Sequence, residues 1–302
     1  MTSTSYFGAP EDKELWDKLQ SYLEPQHPCI VCGGEVFELW AKQGYLEANR
    51  CTECGMISVN PHFSEEGLNL LYSEYYAYRQ ADQLLKEQRD VTYLIDRDWV
   101  STFVAGGRVL DVGCSGGFFL SKFPAERWDR HGVEIAADAA EFARTEFGLP
   151  VQAGNLLELE FDEPFDLVMM RGVVEHFNDP KSVLEKCCQL VKPGGFLFFT
   201  ATPAGDSFAF DVYREKWRLF TPLEHIHFFT VKLLSRILAE FGLVPVSHHY
   251  QYEETPYANP AEDFKQIQRD IAAIEQGKKD QVDSSVPFPG SMLTALWQKP
   301  LD

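Results

Sequence analysis

Residues Arg108–Leu120, RVLDVGCSGGFFL, decide how the chain is read. An apolar run of strand character, VLDV, meets a cluster of small residues, Gly113-Cys114-Ser115-Gly116-Gly117, and hydrophobic residues resume beyond it. As a glycine turn that ends a strand and opens a helix, the cluster lets the backbone approach a nucleotide cofactor closely. By letters alone it is also G-x-S-x-G, the sharp turn that carries a nucleophilic serine. The rest of the chain discriminates between these two chemistries.

Composition sets the outer limits. The chain has 302 residues, of which 45% are hydrophobic, enough for a substantial core. Its net charge of −19 repels phosphodiester backbones and acidic membranes, whose binding needs clustered Lys and Arg. The first residues, MTSTSYFGAPEDKELW, lack a basic start and an apolar run. No later segment approaches the roughly 20 apolar residues of a membrane span. These features predict a cytoplasmic protein with neither nucleic-acid nor membrane partners.

Four of the seven cysteines form two C-x-x-C pairs, Cys29/Cys32 and Cys51/Cys54, with eighteen residues between them. Two thiolate pairs on tight turns supply four soft ligands for a tetrahedral zinc ion. Gly33-Gly34 and Gly55 follow the pairs and permit the positive φ that wraps amides around sulfur. Four cysteines leave no open position, so the expected role is structural. The interval has only Lys42 and Arg50 against three glutamates, which disfavours nucleic-acid binding by the ribbon. Cys187 and Cys188 read as packing residues of a helix.

The chain divides into an N-terminal arm (1–24), a zinc ribbon (25–62), a helical linker and cofactor cover (63–104) and an α/β domain (105–302). The linker's Tyr72, Tyr75, Tyr76 and Tyr78 either pack or cover a cofactor. After Gly106-Gly107 strands and helices alternate: VLDV, helix FFLSKF, HGVEI, helix AADAAEFARTEF, VQAG, FDLVMM, a helix begun by Asp179-Pro180, then FLFFTAT. VKLLSRILAEFG reads as a further helix, with LVPVSHHY and SMLTALWQK as closing strands. The alternation predicts a mostly parallel sheet with helices on both faces. Aromatic-rich insertions near 202–229 and 251–290 are candidate substrate covers.

A hydrolase elbow needs a later acid and histidine, which this chain contains, yet it normally follows several strands of its sheet. Here a ribbon and helices precede it. Glu134, at the end of the next strand and about twenty residues beyond the glycines, is placed to accept hydrogen bonds from both ribose hydroxyls. That favours a nucleoside cofactor.

RVLDVGCSGGFFL, HGVEI, GNLLEL, FDLVMMRGVVEHFNDP and LVKPGGFLFFTATP resemble, in order and spacing, the motifs of class I S-adenosylmethionine-dependent methyltransferases. The resemblance covers about residues 105–250. The ribbon with VNPHFSEEGLNLLYSEYY resembles a bacterial subgroup that often modifies sugars or natural products. It implies a Rossmann-like seven-stranded sheet, S-adenosylmethionine as donor, structural zinc and a small-molecule acceptor. Ser115 departs from the family, which usually has a glycine there. By this resemblance Asp111, Gly113, Cys114, Ser115, Gly116 and Gly117 line the methionine portion of the cofactor. Glu134 holds the ribose, Ile135, Asn155 and Leu156 meet the adenine, and Arg171 follows the fourth strand beside it. His176, His225 and His227 are the candidate bases. Pro222 stands where related sugar C-methyltransferases often have a tyrosine, which weakens carbon methylation and places oxygen methylation ahead, with carbon or nitrogen methylation as the alternatives. Arg214, Lys216 and Arg218 are either a solvated segment or an acceptor-phosphate contact. Trp217 and Phe220 either stack on a ring or seal the core.

Overall fold

The computed structural model describes residues 13–71, 83–287 and 290–301. Val109 and Leu110, Leu167 and Val168, and Met169 and Met170 are all closed off from solvent. Adjacent side chains of a strand point to opposite faces, so only a sheet covered on both sides buries each pair. This is why VLDV and FDLVMM are continuous apolar runs rather than alternating ones.

In chain order the strands are β1 (Phe37–Gln43), β2 (Leu46–Cys51), β3 (Ile57–Val59), β4 (Gly107–Val112), β5 (Trp128–Glu134) and β6 (Val151–Ala153). They continue with β7 (Phe165–Arg171), β8 (Val191–Pro203), β9 (His227–Phe228), β10 (Val244–Tyr250) and β11 (Met292–Gln298). The larger sheet has the order β10-β11-β8-β7-β4-β5-β6. Only β11 runs against the others, pairing antiparallel with both β8 and β10. β4 lies between β5 and β7, parallel to both, so the strand order reverses there. In an open α/β sheet the crevice outside the carboxyl ends at such a reversal is where ligands bind.

Helices Pro180–Leu190 and Val231–Glu240 cover one face, packing Leu184, Cys187, Leu234 and Ile237 near Leu110, Val168 and Leu197. Helices Gln83–Ser101 and Ala137–Phe147 cover the other, with Val100, Ala140 and Ala143 near Val109 and Leu167. Asp179 caps its helix by accepting from the Ser182 amide, and Pro180 occupies the first turn. Both Cys187 and Cys188 are buried in this packing. One expectation is corrected: FFLSKF forms only a 3-10 turn, Leu120–Lys122. Pro124 cuts the segment short after Gly117, and Phe119, Leu120 and Phe123 are buried by packing near Trp128.

The ribbon is not an isolated unit. β9 joins the ribbon's sheet, pairing Ile57 with Phe228 and Ser58 with His227 in the order β1-β2-β3-β9. Trp40 stacks on Phe210 at 3.9 Å, and Trp217, Phe220 and Phe228 complete a core shared by the ribbon and the first insertion. Trp217 and Phe220 therefore seal this core. Arg214 donates to the Trp40 carbonyl at 3.2 Å. The second insertion carries helix Pro260–Glu275. The four linker tyrosines lie outside the described residues. Among the described residues no helix is long and apolar enough to cross a membrane.

Candidate active site

The glycine turn is held by β5. The amides of Gly113 and Cys114 both donate to the Val133 carbonyl, at 2.8 and 3.0 Å, which swings the chain sharply off β4. Gly113 has φ +71°, and a Cβ there would stand 2.9 Å from Val173. Glycine thus lets the turn lie directly against the exit from β7. Ser115 has φ +49°, a left-handed conformation that costs a non-glycine residue about 1 kcal/mol. Glycine would adopt this backbone setting without that cost.

Glu134 closes the turn from the neighbouring strand. Its Oε2 accepts from the Ser115 amide at 2.7 Å and its Oε1 from the Ala136 amide at 2.9 Å. Burial raises its pKa, while the Ala136 and Ser115 amides pull the other way. Each oxygen retains a further lone-pair direction for a hydroxyl donor. Ile135 follows with its side chain 55% exposed, an apolar surface beside the carboxylate. The Gly154 amide donates to the Glu134 carbonyl at 2.9 Å, bringing the end of β6 alongside. There the Asn155 carboxamide oxygen accepts from the Leu157 amide at 3.0 Å, and Leu156 is buried. Asp111 is enclosed in β4, where burial raises its pKa well above the usual carboxylate range, opposed by Arg171. Gly116 and Gly117 complete the turn beneath helix Ala137–Phe147, with Gly117 at φ +76°. Acceptor oxygens, close backbone and an apolar shelf suit the ribose, methionine and adenine portions of S-adenosylmethionine.

Two residues of the expected cofactor set are directed elsewhere. Cys114 turns its thiol towards Gly132 in the core, and its amide is spent on Val133, so it anchors the turn. Arg171 binds Asp96 through Nε at 2.8 Å and Thr92 through Nη2 at 3.1 Å, with its guanidinium over Tyr93. It ties β7 to helix Gln83–Ser101. Neither sequence position reveals this, because the partners of Arg171 lie more than seventy residues away.

Across the crevice, the turn after β7 carries Glu175 and His176. The imidazoles of His176 and His225 are 5.0 Å apart, centre to centre. Donor atoms of Glu175, His176 and His225 all fall within 4.8 Å of one another. His225 Nδ1 sits 2.9 Å from both the Leu219 carbonyl and Thr221 Oγ1. Glu175 is fully buried, and burial pushes its carboxyl up to about 8. Sequence reading passed over this glutamate. The available signal was an acid inside the apolar GVVEHF at the end of a central strand.

His227 is corrected. It sits on β9 with Nδ1 3.0 Å from Ser58 Oγ, fully buried in the ribbon's sheet. Burial, reinforced by His62 and His27, pushes its pKa down to about 3, too low for a base at neutral pH. Its effect is on stability. Below the ordinary histidine pKa of about 6.5 the unfolded chain takes up a proton that the folded chain refuses. The contribution is complete above that pH and is lost as pH falls towards 3, a span worth about 5 kcal/mol. His227→Gln is expected to flatten the acid limb of a urea-stability profile between these values. An unchanged slope would assign the proton uptake to other groups.

The four ribbon cysteines fit a metal. Cys29 and Cys54 sulfurs are 3.5 Å apart, as are those of Cys32 and Cys51. A tetrahedron with bonds of about 2.3 Å has sulfur edges of about 3.8 Å, whereas a disulfide would need about 2.05 Å. Gly33 and Gly55 have φ +75° and +80°, and their amides donate back to the Cys29 and Cys51 carbonyls. Both knuckles therefore present sulfur towards one centre.

Residues 81–248, more than half of the chain, match the family described as methyltransferase domain. Over 117 residues the chain is 33% identical to a ubiquinone biosynthesis O-methyltransferase of Photorhabdus laumondii, covering 36% of this chain and 48% of that protein. A protein of the same name from Shewanella sp. is 36% identical over 104 residues, covering 32% and 44% respectively. The chain thus spans about half the length of the curated relatives it matches. The solved SAM-dependent methyltransferase of Thermotoga maritima shares the fold, with a TM-score of 0.52 at 18% identity, covering 77% of this chain and 99% of that one.

Proposed function

The chain belongs to the class I S-adenosylmethionine-dependent methyltransferases, and from that premise we propose that it methylates a hydroxyl of a small-molecule acceptor. A sugar, nucleotide sugar or natural-product intermediate is the acceptor class this reading favours. The observation that carries it is the facing pair of elements at the strand-order reversal. The glycine turn with Glu134 stands on one side, and Glu175, His176 and His225 stand on the other, with Val173 in contact between them.

When bound, S-adenosylmethionine supplies a methyl group on a sulfonium, and the departing sulfur takes the bonding pair. Glu134 would hold the ribose hydroxyls and the glycine turn would accept the methionine portion. These groups work by orientation, which is the main demand of an in-line displacement. The acceptor hydroxyl also loses its proton, and the Glu175–His176–His225 cluster is the place where that occurs. A structural zinc held by Cys29, Cys32, Cys51 and Cys54 would fix the ribbon that buttresses this side.

Mass spectrometry of the protein with S-adenosylmethionine and candidate hydroxyl acceptors tests the reading by scoring the gain of one methyl group. His225→Ala and His176→Ala are expected to lower kcat by about 100-fold or more while leaving S-adenosylhomocysteine affinity unchanged. Full turnover in both variants would remove the cluster from the chemistry.

A further inference from the structure

Glu175 is a fully buried carboxyl with neither oxygen in a well-formed hydrogen bond, compensated only in part by the Thr202 hydroxyl and the backbone of Val173 and Glu175. Leaving such a group weakly compensated in the interior is costly, and buried acids without well-formed hydrogen bonds are accordingly rare. His176 Nε2 stands 3.8 Å from Glu175 Oε1, too far for a hydrogen bond but close enough to share a third body. His225 completes a set of three donors within 4.8 Å.

We infer that Glu175, His176 and His225 form a binding site for a divalent transition-metal ion beside the acceptor position. The inference rests on the methyltransferase reading only for what the ion would do there. Two imidazoles and one carboxylate are the donor set of zinc, iron and related divalent ions, whereas calcium and magnesium prefer all-oxygen sites. With bonds of about 2.1 Å, three such ligands stand about 3.0 Å apart in octahedral and about 3.4 Å apart in tetrahedral geometry.

The surroundings of His225 support ligation. The Leu219 carbonyl beside Nδ1 can only accept, which places the proton on Nδ1 and the lone pair on Nε2. A second group that fixes the tautomer in this way is the usual accompaniment of a metal-bound imidazole. The backbone is fixed as well: the Ile226 amide donates to the Glu175 carbonyl at 2.9 Å, so the two segments that supply ligands are joined directly. Three protein ligands leave coordination positions open, and an acceptor oxygen bound there becomes more acidic. The hydroxyl proton then leaves to solvent, the oxygen forms the new bond to the methyl carbon, and the sulfur–methyl bond breaks with its pair kept by sulfur.

Calorimetric titration of the full chain, zinc-saturated at its cysteines, with Co2+ alone tests the site. One further equivalent is expected to bind without thiolate-to-metal charge transfer in the absorption spectrum. Glu175→Gln and His225→Ala should each weaken that equivalent by more than about 100-fold, since even outer-shell losses cost 10–100-fold. His176→Ala, at the most exposed of the three positions, serves if a buried substitution fails to fold. No additional equivalent in the wild-type protein, or unchanged Co2+ binding in the folded variants, would overturn the site. S-adenosylhomocysteine titrated in parallel separates the two claims: wild-type protein that binds the nucleoside but no further Co2+ sinks the metal site alone, while failure to bind the nucleoside sinks the methyltransferase reading.

Discussion

Chelating the metal from the four-cysteine ribbon, or replacing Cys51 by serine, is expected to abolish methyl transfer while cofactor binding survives. The knuckle end of the ribbon lies outside the core it shares with the first insertion, and metal binding supplies on the order of 10 kcal/mol or more to small units of this kind. Its loss would propagate by a defined route. The Val59 amide on β3 donates to the Ile226 carbonyl at 2.8 Å, and the Ile226 amide donates to Glu175. His225 precedes Ile226, and His227 follows it on β9. Loosening β3 therefore frees the segment that carries His225, one member of the proposed acceptor-side cluster. The glycine turn and Glu134 rest instead on β4 and β5, inside the seven-stranded sheet. Limited proteolysis should show new cleavage within residues 25–62 and 202–229, alongside retained S-adenosylhomocysteine binding. Undiminished turnover in metal-free protein would contradict this coupling.

Glu134→Ala is expected to weaken S-adenosylhomocysteine by about 100-fold, from the loss of hydrogen bonds to an ionised acceptor worth about 3 kcal/mol together. The substitution also strips the Ser115 and Ala136 amides of their acceptor, so the left-handed Ser115 loses the bond that holds it. Glu134→Gln keeps the shape and one acceptor oxygen, and should fall between the two. Because burial raises the Glu134 pKa, affinity should decline on acidification sooner than for an ordinary glutamate. Calorimetry reads all three effects, and wild-type affinity in Glu134→Ala would exclude this carboxylate from the cofactor site.

Much of the architecture was legible because its signals are local. Strands buried on both faces appear as unbroken apolar runs, and paired C-x-x-C spacing is set by the geometry of a tight turn. The depth at which Glu134 follows the glycines is likewise fixed by one strand, one turn and one crossover. What escaped the sequence depends on distant partners. β9 is two residues long, too short for any periodicity, and becomes a strand only because β3 offers an edge. The core shared by Trp40 and Phe210 joins segments some 170 residues apart, so the ribbon looked like a separate unit. Arg171 and Asp96 pair across the fold, and Glu175 is exceptional only for its enclosure, which letters do not show.

Titration of the full chain with S-adenosylhomocysteine tests the central claim most directly. Binding of one equivalent is expected, with a stabilisation of about 4 kcal/mol when the ligand is at 1,000 times its Kd. No heat of binding and no rise in Tm at millimolar ligand would contradict the assignment of the glycine turn and Glu134 to the methyl donor.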